Sequence, residues 1–238
     1  MTHFLKLTLD TIFPSQCLIC KKKLEDQTLK VICRNCFEKI EINSGFTCPR
    51  CKKRLYEPKN DCHPETKFVL GAASFFENKI VRELIHALKY KNLKSAIEPL
   101  SRVLELYLNK AIKNSDFKIE NFIIVPVPLH KKKERMRGFN QAQLLAQKLS
   151  FFLNKTPIAE NSLIKIKNTK SQTELKNSTE RKENIKNSFG VKDPNQIQNK
   201  NIFLLDDVFT SGATMQEATT TLKAAGAKKI IGLVIART

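Results

Sequence analysis

The chain has 238 residues, 41% of them apolar, and a formal charge of +19 from 42 Lys and Arg against 23 Asp and Glu. That length suits one medium domain with a small appendage, and the apolar fraction can fill a core, which excludes global disorder. No run approaches the roughly 18 uninterrupted apolar residues of a membrane span, so no membrane-crossing helix is expected. The charge itself has two readings. Lys and Asn are both plentiful, as in chains from AT-rich genomes, or the surface meets a polyanion whose phosphates release counterions when neutralised.

The mildly amphipathic start, residues 1–14, is interrupted by Lys6 and Asp10, and no small-residue cleavage site follows. A secretory signal is therefore not expected, and the chain reads as cytoplasmic. All seven cysteines then fall within the first 62 residues. An odd count in a cytosolic chain favours metal ligation over a disulfide framework. Cys17-Leu18-Ile19-Cys20 and Cys33-Arg34-Asn35-Cys36 are two CxxC knuckles. Each presents two thiolates from one tight turn, and together they form the all-sulfur set that zinc prefers. Cys48-Pro49-Arg50-Cys51 opens a second set that only Cys62 follows. Its fourth ligand is either His63, adjacent to Cys62, or Glu65, at knuckle spacing from it; the alternative is a decayed ribbon that holds metal weakly or not at all. A metal closed in by four protein ligands has no position for water or substrate, so either zinc would be structural. So short a segment cannot stabilise itself by burial, and chelation is expected to unfold it selectively.

After Cys62-His63-Pro64 the composition changes, dividing a zinc-ribbon module, residues 1–66, from a second domain, residues 67–238. The second part alternates apolar strands with helical patterns. A strand is predicted over 68–76, a helix over about 78–91, and a second helix over about 95–113 with Leu100, Val103, Leu104, Tyr107, Leu108 and Ala111 on one face. A buried strand over 122–125 ends at Pro126-Val127-Pro128, and a helix follows over 140–153. After a short strand at about 163–166 comes a polar stretch, 167–187, of the kind that forms a lid or has no fixed structure. The strand 202–205, a helix over 213–225 stopped at Gly226, and the strand 230–236 complete the pattern. This rhythm implies βαβ crossovers and a mostly parallel α/β sheet flanked by helices. Ligands of such sheets sit at the carboxyl ends of strands, which places the loops after Val125 and Leu205 on one edge.

Both loops carry chemistry. After Val125 comes a basic loop, in which Lys131, Lys132, Lys133, Arg135 and Arg137 stand against Glu134 alone. Pyrophosphate or a nucleic-acid backbone matches such a set, above all its arginines, and so does plain solvation. Arg181 and Lys182 in the polar stretch could close over the same anion. After Leu205 come Asp206-Asp207-Val208-Phe209, then Thr210-Ser211-Gly212-Ala213-Thr214 and a helix. Hydroxyls and amides at a helix start suit a phosphate, and Gly212 lets the backbone approach it. The two carboxylates cannot attract a phosphate; they suit the hydroxyls of an attached sugar or the shell of a magnesium ion. A mere N-cap would need one of these residues, not all of them.

The segment over 203–214 resembles the phosphoribosyl-pyrophosphate (PRPP) signature of type I phosphoribosyltransferases, with four apolar residues, two acids and Thr-Ser-Gly-x-Thr. The resemblance implies that Asp206 and Asp207 hold the ribose hydroxyls as the catalytic pair. It implies too that residues 208–214 (Val208, Thr210, Ser211, Gly212, Ala213 and Thr214) bind the 5′-phosphate, and that Mg²⁺ accompanies PRPP. Over nearly the whole chain, the paired ribbons, Leu88-Lys89-Tyr90, Pro126-Val127-Pro128, Arg137-Gly138-Phe139-Asn140-Gln141 and the Arg181, Asn184, Phe189 spacing are similar to the ComF (ComFC) family of competence-associated proteins. One departure is that the second ribbon ordinarily ends in another CxxC. The resemblance implies a cytoplasmic role in natural transformation, at the inner face of the inner membrane, with single-stranded DNA and a DNA-translocating helicase as partners. Lys131, Arg135, Arg137 and Arg181 would meet pyrophosphate or the DNA backbone. Three activities are open: a DNA-uptake accessory that binds PRPP, a phosphoribosyltransferase with an unknown acceptor, or a non-catalytic PRPP sensor.

Overall fold

A computed structural model describes residues 16–26, 28–55, 57–113, 119, 121–169 and 178–238. The amphipathic start (1–14) and residues 170–177 of the polar stretch lie outside the described residues, as does the side chain of Lys182. The ribbon segment is made of turns around a short helix, α1 (Arg34–Phe37), followed by a hairpin of β1 (Phe46–Thr47) and β2 (Arg54–Leu55). Then come β3 (Val69–Phe75), α2 (Lys79–Tyr90), α3 (Ile97–Lys113), β4 (Phe122–Pro126), α4 (Lys131–Arg137) and α5 (Gln141–Phe152). β5 (Leu163–Lys165), α6 (Ser178–Ile185), β6 (Phe189–Val191), β7 (Asn201–Phe209), α7 (Ala213–Ala224) and β8 (Lys229–Arg237) complete the described chain.

The main sheet has the order β2-β1-β3-β8-β7-β4. Strands β3, β8, β7 and β4 run parallel, and β1 joins antiparallel to β3 through Thr47 opposite Leu70. The α/β class and mostly parallel sheet are as the sequence rhythm implies. Buried on both faces, the central strands are almost continuously apolar; all seven interior residues of β8 are buried. On one face, Leu84 and Leu88 of α2, Leu100, Val103 and Leu104 of α3, and Leu145 of α5 share a cluster with Phe203, Leu205, Ile231 and Leu233. On the other, Met215, Ala218 and Leu222 of α7 cluster with Ile202, Leu204, Ile230 and Val234. Helix starts follow from local chemistry: Asn78 Oδ1 accepts from the amides of Ile80 and Val81 at 3.0 and 3.2 Å, and Asn140 Oδ1 from that of Ala142 at 3.0 Å.

Three elements differ from the sequence expectation. β7 does not end at Leu205; it continues through both aspartates, because β8 extends far enough to pair Asp206 with Val234 and Phe209 with Arg237. The basic segment after β4 is a helix, not a loop: His130 Nδ1 accepts from Lys132 N at 3.3 Å, and Gly138, at φ 78°, ends it with its amide on Glu134 O at 2.7 Å. The polar stretch contains α6, and the short strand β5 joins a separate antiparallel hairpin with β6 instead of the main sheet.

The ribbon segment is sewn onto the sheet. Ser74 Oγ donates to Glu41 O at 2.7 Å, Asn43 Nδ2 to Ala72 O at 3.1 Å, and the Tyr107 hydroxyl, on α3, to Gly45 O at 2.6 Å. Ile32, Ile40 and Phe46 belong to the same apolar cluster as α3. Chelation is therefore expected to loosen α3 along with the cysteine segment, a correction to selective unfolding of the latter. Tyr107 is fully buried, so Tyr107→Phe leaves the Gly45 carbonyl without its donor. We expect it to lower stability by about 0.5–1.5 kcal/mol in urea unfolding, with the slope unchanged.

Candidate functional site

The candidate site lies where β7 hands over to α7. Asp206 and Asp207 are successive residues of β7 and differ in burial. Asp207 is 3% exposed. Its Oδ2 lies 2.6 Å from Nζ of Lys89, in the last turn of α2. Burying a carboxylate this deep is costly without a partner, and Lys89 supplies one. Asp206 is half-buried, and its Oδ1 accepts the amide of Asp207 at 2.8 Å. Burial and then the charge of Asp207 push its carboxyl up to about 7, against an opposing pull from Lys89.

Beyond β7 the chain turns sharply into α7. The N-cap is Gly212, at φ 75° and without a side-chain cap bond, so neither Thr210 nor Ser211 fills the simple capping role. A Cβ on Gly212 would lie 2.6 Å from Cζ of Phe209, which makes glycine the only residue that fits both the angle and the space. Thr210, Ser211 and Thr214 surround this helix start, with Ser211 Oγ 3.5 Å from the amide of Ala213; Ala213 is buried and Val208 half-buried. First-turn amides with hydroxyls at a positive helix end, two strand residues from two acids, can take a phosphate with an attached polyol.

Three neighbouring elements carry cations. α4 begins five residues after β4, and β4 lies next to β7. Of its cations, Lys131 and Arg135 are exposed, while Arg137 is half-buried and tied by Nη1 to Gln141 Oε1 at 2.5 Å. Arg181, half-buried, belongs to α6, which packs against α7. Lys165, on β5, has its pKa lowered to about 8 by burial and then by Lys133, against the pull of Asp206; its Nζ stands 5.4 Å above the Phe189 ring. This electrostatic neighbourhood joins β5, α4 and the end of β7. Sequence reasoning assigned no site role to Lys89 or Lys165. Lys89 was visible only within Leu88-Lys89-Tyr90, and Lys165 sits in a strand too short for periodicity to reveal its inner face.

The cysteines gather into two clusters on the other side of the sheet order. Cys17, Cys20, Cys33 and Cys36 form one, and Cys48, Cys51, Cys62 and His63 the other, with ligand atoms in each within 4.8 Å of one another. The Cys20–Cys33 and Cys51–Cys62 sulfurs are 3.7 Å apart, and Cys48 Sγ is 3.4 Å from His63 Nδ1. Tetrahedral zinc with Zn–S bonds of about 2.3 Å sets sulfurs about 3.8 Å apart, so both donor sets fit the ion. Disulfide sulfurs would be at about 2.05 Å. Glu65 is turned away into an ion pair with Arg50, which leaves His63 as the fourth donor.

Comparison with known proteins accords with this division. Residues 107–238 match the phosphoribosyl transferase domain family, and residues 8–65 match the double zinc ribbon domain family. The chain is 34% identical to Competence protein F of Haemophilus influenzae over 225 residues, covering 92% of this chain and 95% of that one. The chain belongs to the ComF family. Within it, the Bacillus subtilis Competence protein ComFC is 26% identical over 85% of this chain and 86% of its own length. The Escherichia coli DNA utilization protein YhgH is 29% identical over 93% of this chain and 90% of its own. Among the described residues, no helix of this ComF-family chain is long and apolar enough to cross a membrane.

Two outcomes follow from these geometries. Metal analysis of the purified protein should give two zinc ions per chain; His63→Ala should lose one of them, and Glu65→Ala neither. Because the fold raises the pKa of Asp206, it favours the protonated acid, a contribution complete below the ordinary 3.8 and lost as pH rises through about 7. Asp206→Asn should therefore raise the melting temperature of the ligand-free protein at pH 8 and have little effect near pH 4, at about 2–4 °C per kcal/mol recovered.

Proposed function

We propose that the strand-end site binds PRPP with Mg²⁺ and that the chain serves natural transformation by handling single-stranded DNA as it enters the cytoplasm. The observation that carries the PRPP reading is the placement of Asp206 and Asp207 near the end of a parallel strand that turns within three residues, through Gly212 at a positive φ, into a helix start. In this reading residues 210–214 take the 5′-phosphate through hydroxyls and first-turn amides, and Asp206 and Asp207 take the ribose hydroxyls. The same two carboxylates would hold the magnesium shell, which when bound neutralises pyrophosphate charge. Lys89 holds the Asp207 side chain in place through its ion pair. Lys131, Arg135 and Arg137 on α4, with Arg181 on α6, are suited to pyrophosphate or a DNA backbone. Likeness to proteins named for competence and DNA utilization supports the cellular role. Its place is the cytoplasmic face of the uptake machinery, beside a DNA-translocating helicase.

A second reading, phosphoribosyl transfer to an acceptor, is favoured by one specific feature. The Asp206 carboxyl, at about 7, is poised where a general base is most effective, and it can take a proton from an incoming nucleophile. The sensor reading shares the pocket and lacks this chemistry.

Calorimetric titration with PRPP and Mg²⁺ distinguishes the site from its alternatives. Asp206→Asn/Asp207→Asn should weaken binding by about tenfold or more, since each charge-assisted hydrogen bond contributes about 1.5–3 kcal/mol. Normal PRPP binding by the double variant would overturn the assignment. The same variant should fail to restore transformation to a strain deleted for the protein.

A further inference from the structure

The sheet edge that carries the ribbon holds a second polar pocket, which the strand-end site does not use. Its volume is about 320 Å³, within the range of small-molecule sites, and its walls come from both segments of the chain. Asn43, Thr47, Lys52 and Arg54 contribute from the ribbon side and Arg237 from the end of β8, with Glu41 the one acid among the described lining residues.

The neutral groups there are already committed: Asn43 Nδ2 donates to Ala72 O at 3.1 Å and Thr47 Oγ1 to Leu70 O at 3.4 Å. Among the described residues, none of the three cations is in an ion pair with a side-chain carboxylate. Lys52 Nζ donates to the main-chain oxygen of Thr238 at 3.2 Å, and Arg54 Nη2 to the Ser44 hydroxyl at 3.3 Å. Arg237 stacks over the ring of Phe75, 5.2 Å from its centre, and its Nη1 is buried without an acceptor among the described residues. A buried charged donor left unsatisfied is costly, and an anion within the pocket gives the guanidinium an acceptor to turn toward. Three cations against one carboxylate leave a positive surplus that suits an anion. The arginine forks also match phosphate oxygens.

We propose that this pocket binds a phosphate group, held by Lys52, Arg54 and Arg237. The phosphate belongs either to a small free ligand or to a nucleic-acid strand; the recognition chemistry is shared. The inference does not rest on the PRPP reading of residues 206–214. A phosphate held here would bridge the ribbon and the sheet, because Lys52 follows Cys51 in the second cysteine cluster and Arg237 pairs with Phe209 at the end of β7.

The test uses the full-length zinc-loaded protein and a Lys52→Asn/Arg54→Gln variant, with Lys52→Asn alone as the gentler change; asparagine tolerates the φ of 62° at that position. Zinc content and melting temperature identify which of the two is folded. Inorganic phosphate is titrated by calorimetry, and a labelled oligothymidylate by anisotropy across a salt series. If the phosphate is free, phosphate affinity should fall by about tenfold or more in the double variant. If it belongs to a strand, the log–log salt slope for oligothymidylate should become shallower by about 0.7 in the double variant, the loss of one neutralised phosphate, and by less for Lys52→Asn alone. Either loss supports the pocket and names its source. Unchanged binding of both probes overturns it, and so does an equal loss in a Lys192→Gln/Lys200→Gln control, which removes exposed charge elsewhere. PRPP titration of the same variants should match wild type. Absence of PRPP binding in every protein would refute the strand-end reading and leave this one standing.

Discussion

The parallel pairing of β7 with β8 is the constraint on which the rest of the molecule depends. β8 lies between β3 and β7, with its seven interior residues buried. Because it runs on to Arg237, β7 is held in register as far as Phe209, four residues beyond the end of its apolar run. Two adjacent acids are thereby locked into extended backbone, and the turn into α7 must occur within three residues. Gly212 resolves that turn, at a positive φ and against the ring of Phe209, where any side chain would collide.

An acid pair locked in this way has an electrostatic cost, and the fold divides it unequally. Asp207, facing inward, is neutralised by Lys89 across 2.6 Å. Asp206 has no ion pair of this kind among the described residues, and burial and the charge of Asp207 push its carboxyl up to about 7 against the pull of Lys89.

The same strand pairing reaches the ribbon. β3 pairs with β8 on one side and accepts β1 on the other, and the hydroxyls of Ser74 and Tyr107 donate into ribbon carbonyls. Metal-dependent order in the cysteine segment and apolar packing of α3 are thus parts of one cluster. The two zinc donor sets lie away from the acid pair in the sheet order, so their role toward it is architectural.

Much of this was legible in the linear chain. The helix face over Leu100, Val103, Leu104, Tyr107, Leu108 and Ala111 is buried as its spacing requires, and Asn78 and Asn140 cap the helices they precede. CxxC spacing and the acid-acid, Thr-Ser-Gly run are local patterns, set by bonds between near neighbours, so sequence alone determined them. Tertiary structure decided what depends on residues distant in the chain. It extended β7 through the acids because β8 offers partners, and it set Lys89 against Asp207 from a helix more than a hundred residues earlier. It selected His63 over Glu65 because Arg50 takes the glutamate. It also paired β5 with β6 across the polar stretch, a contact that three-residue strands are too short to announce. Local propensity acts over a few residues, whereas register, ion pairing and ligand choice are fixed only when remote segments are brought into contact.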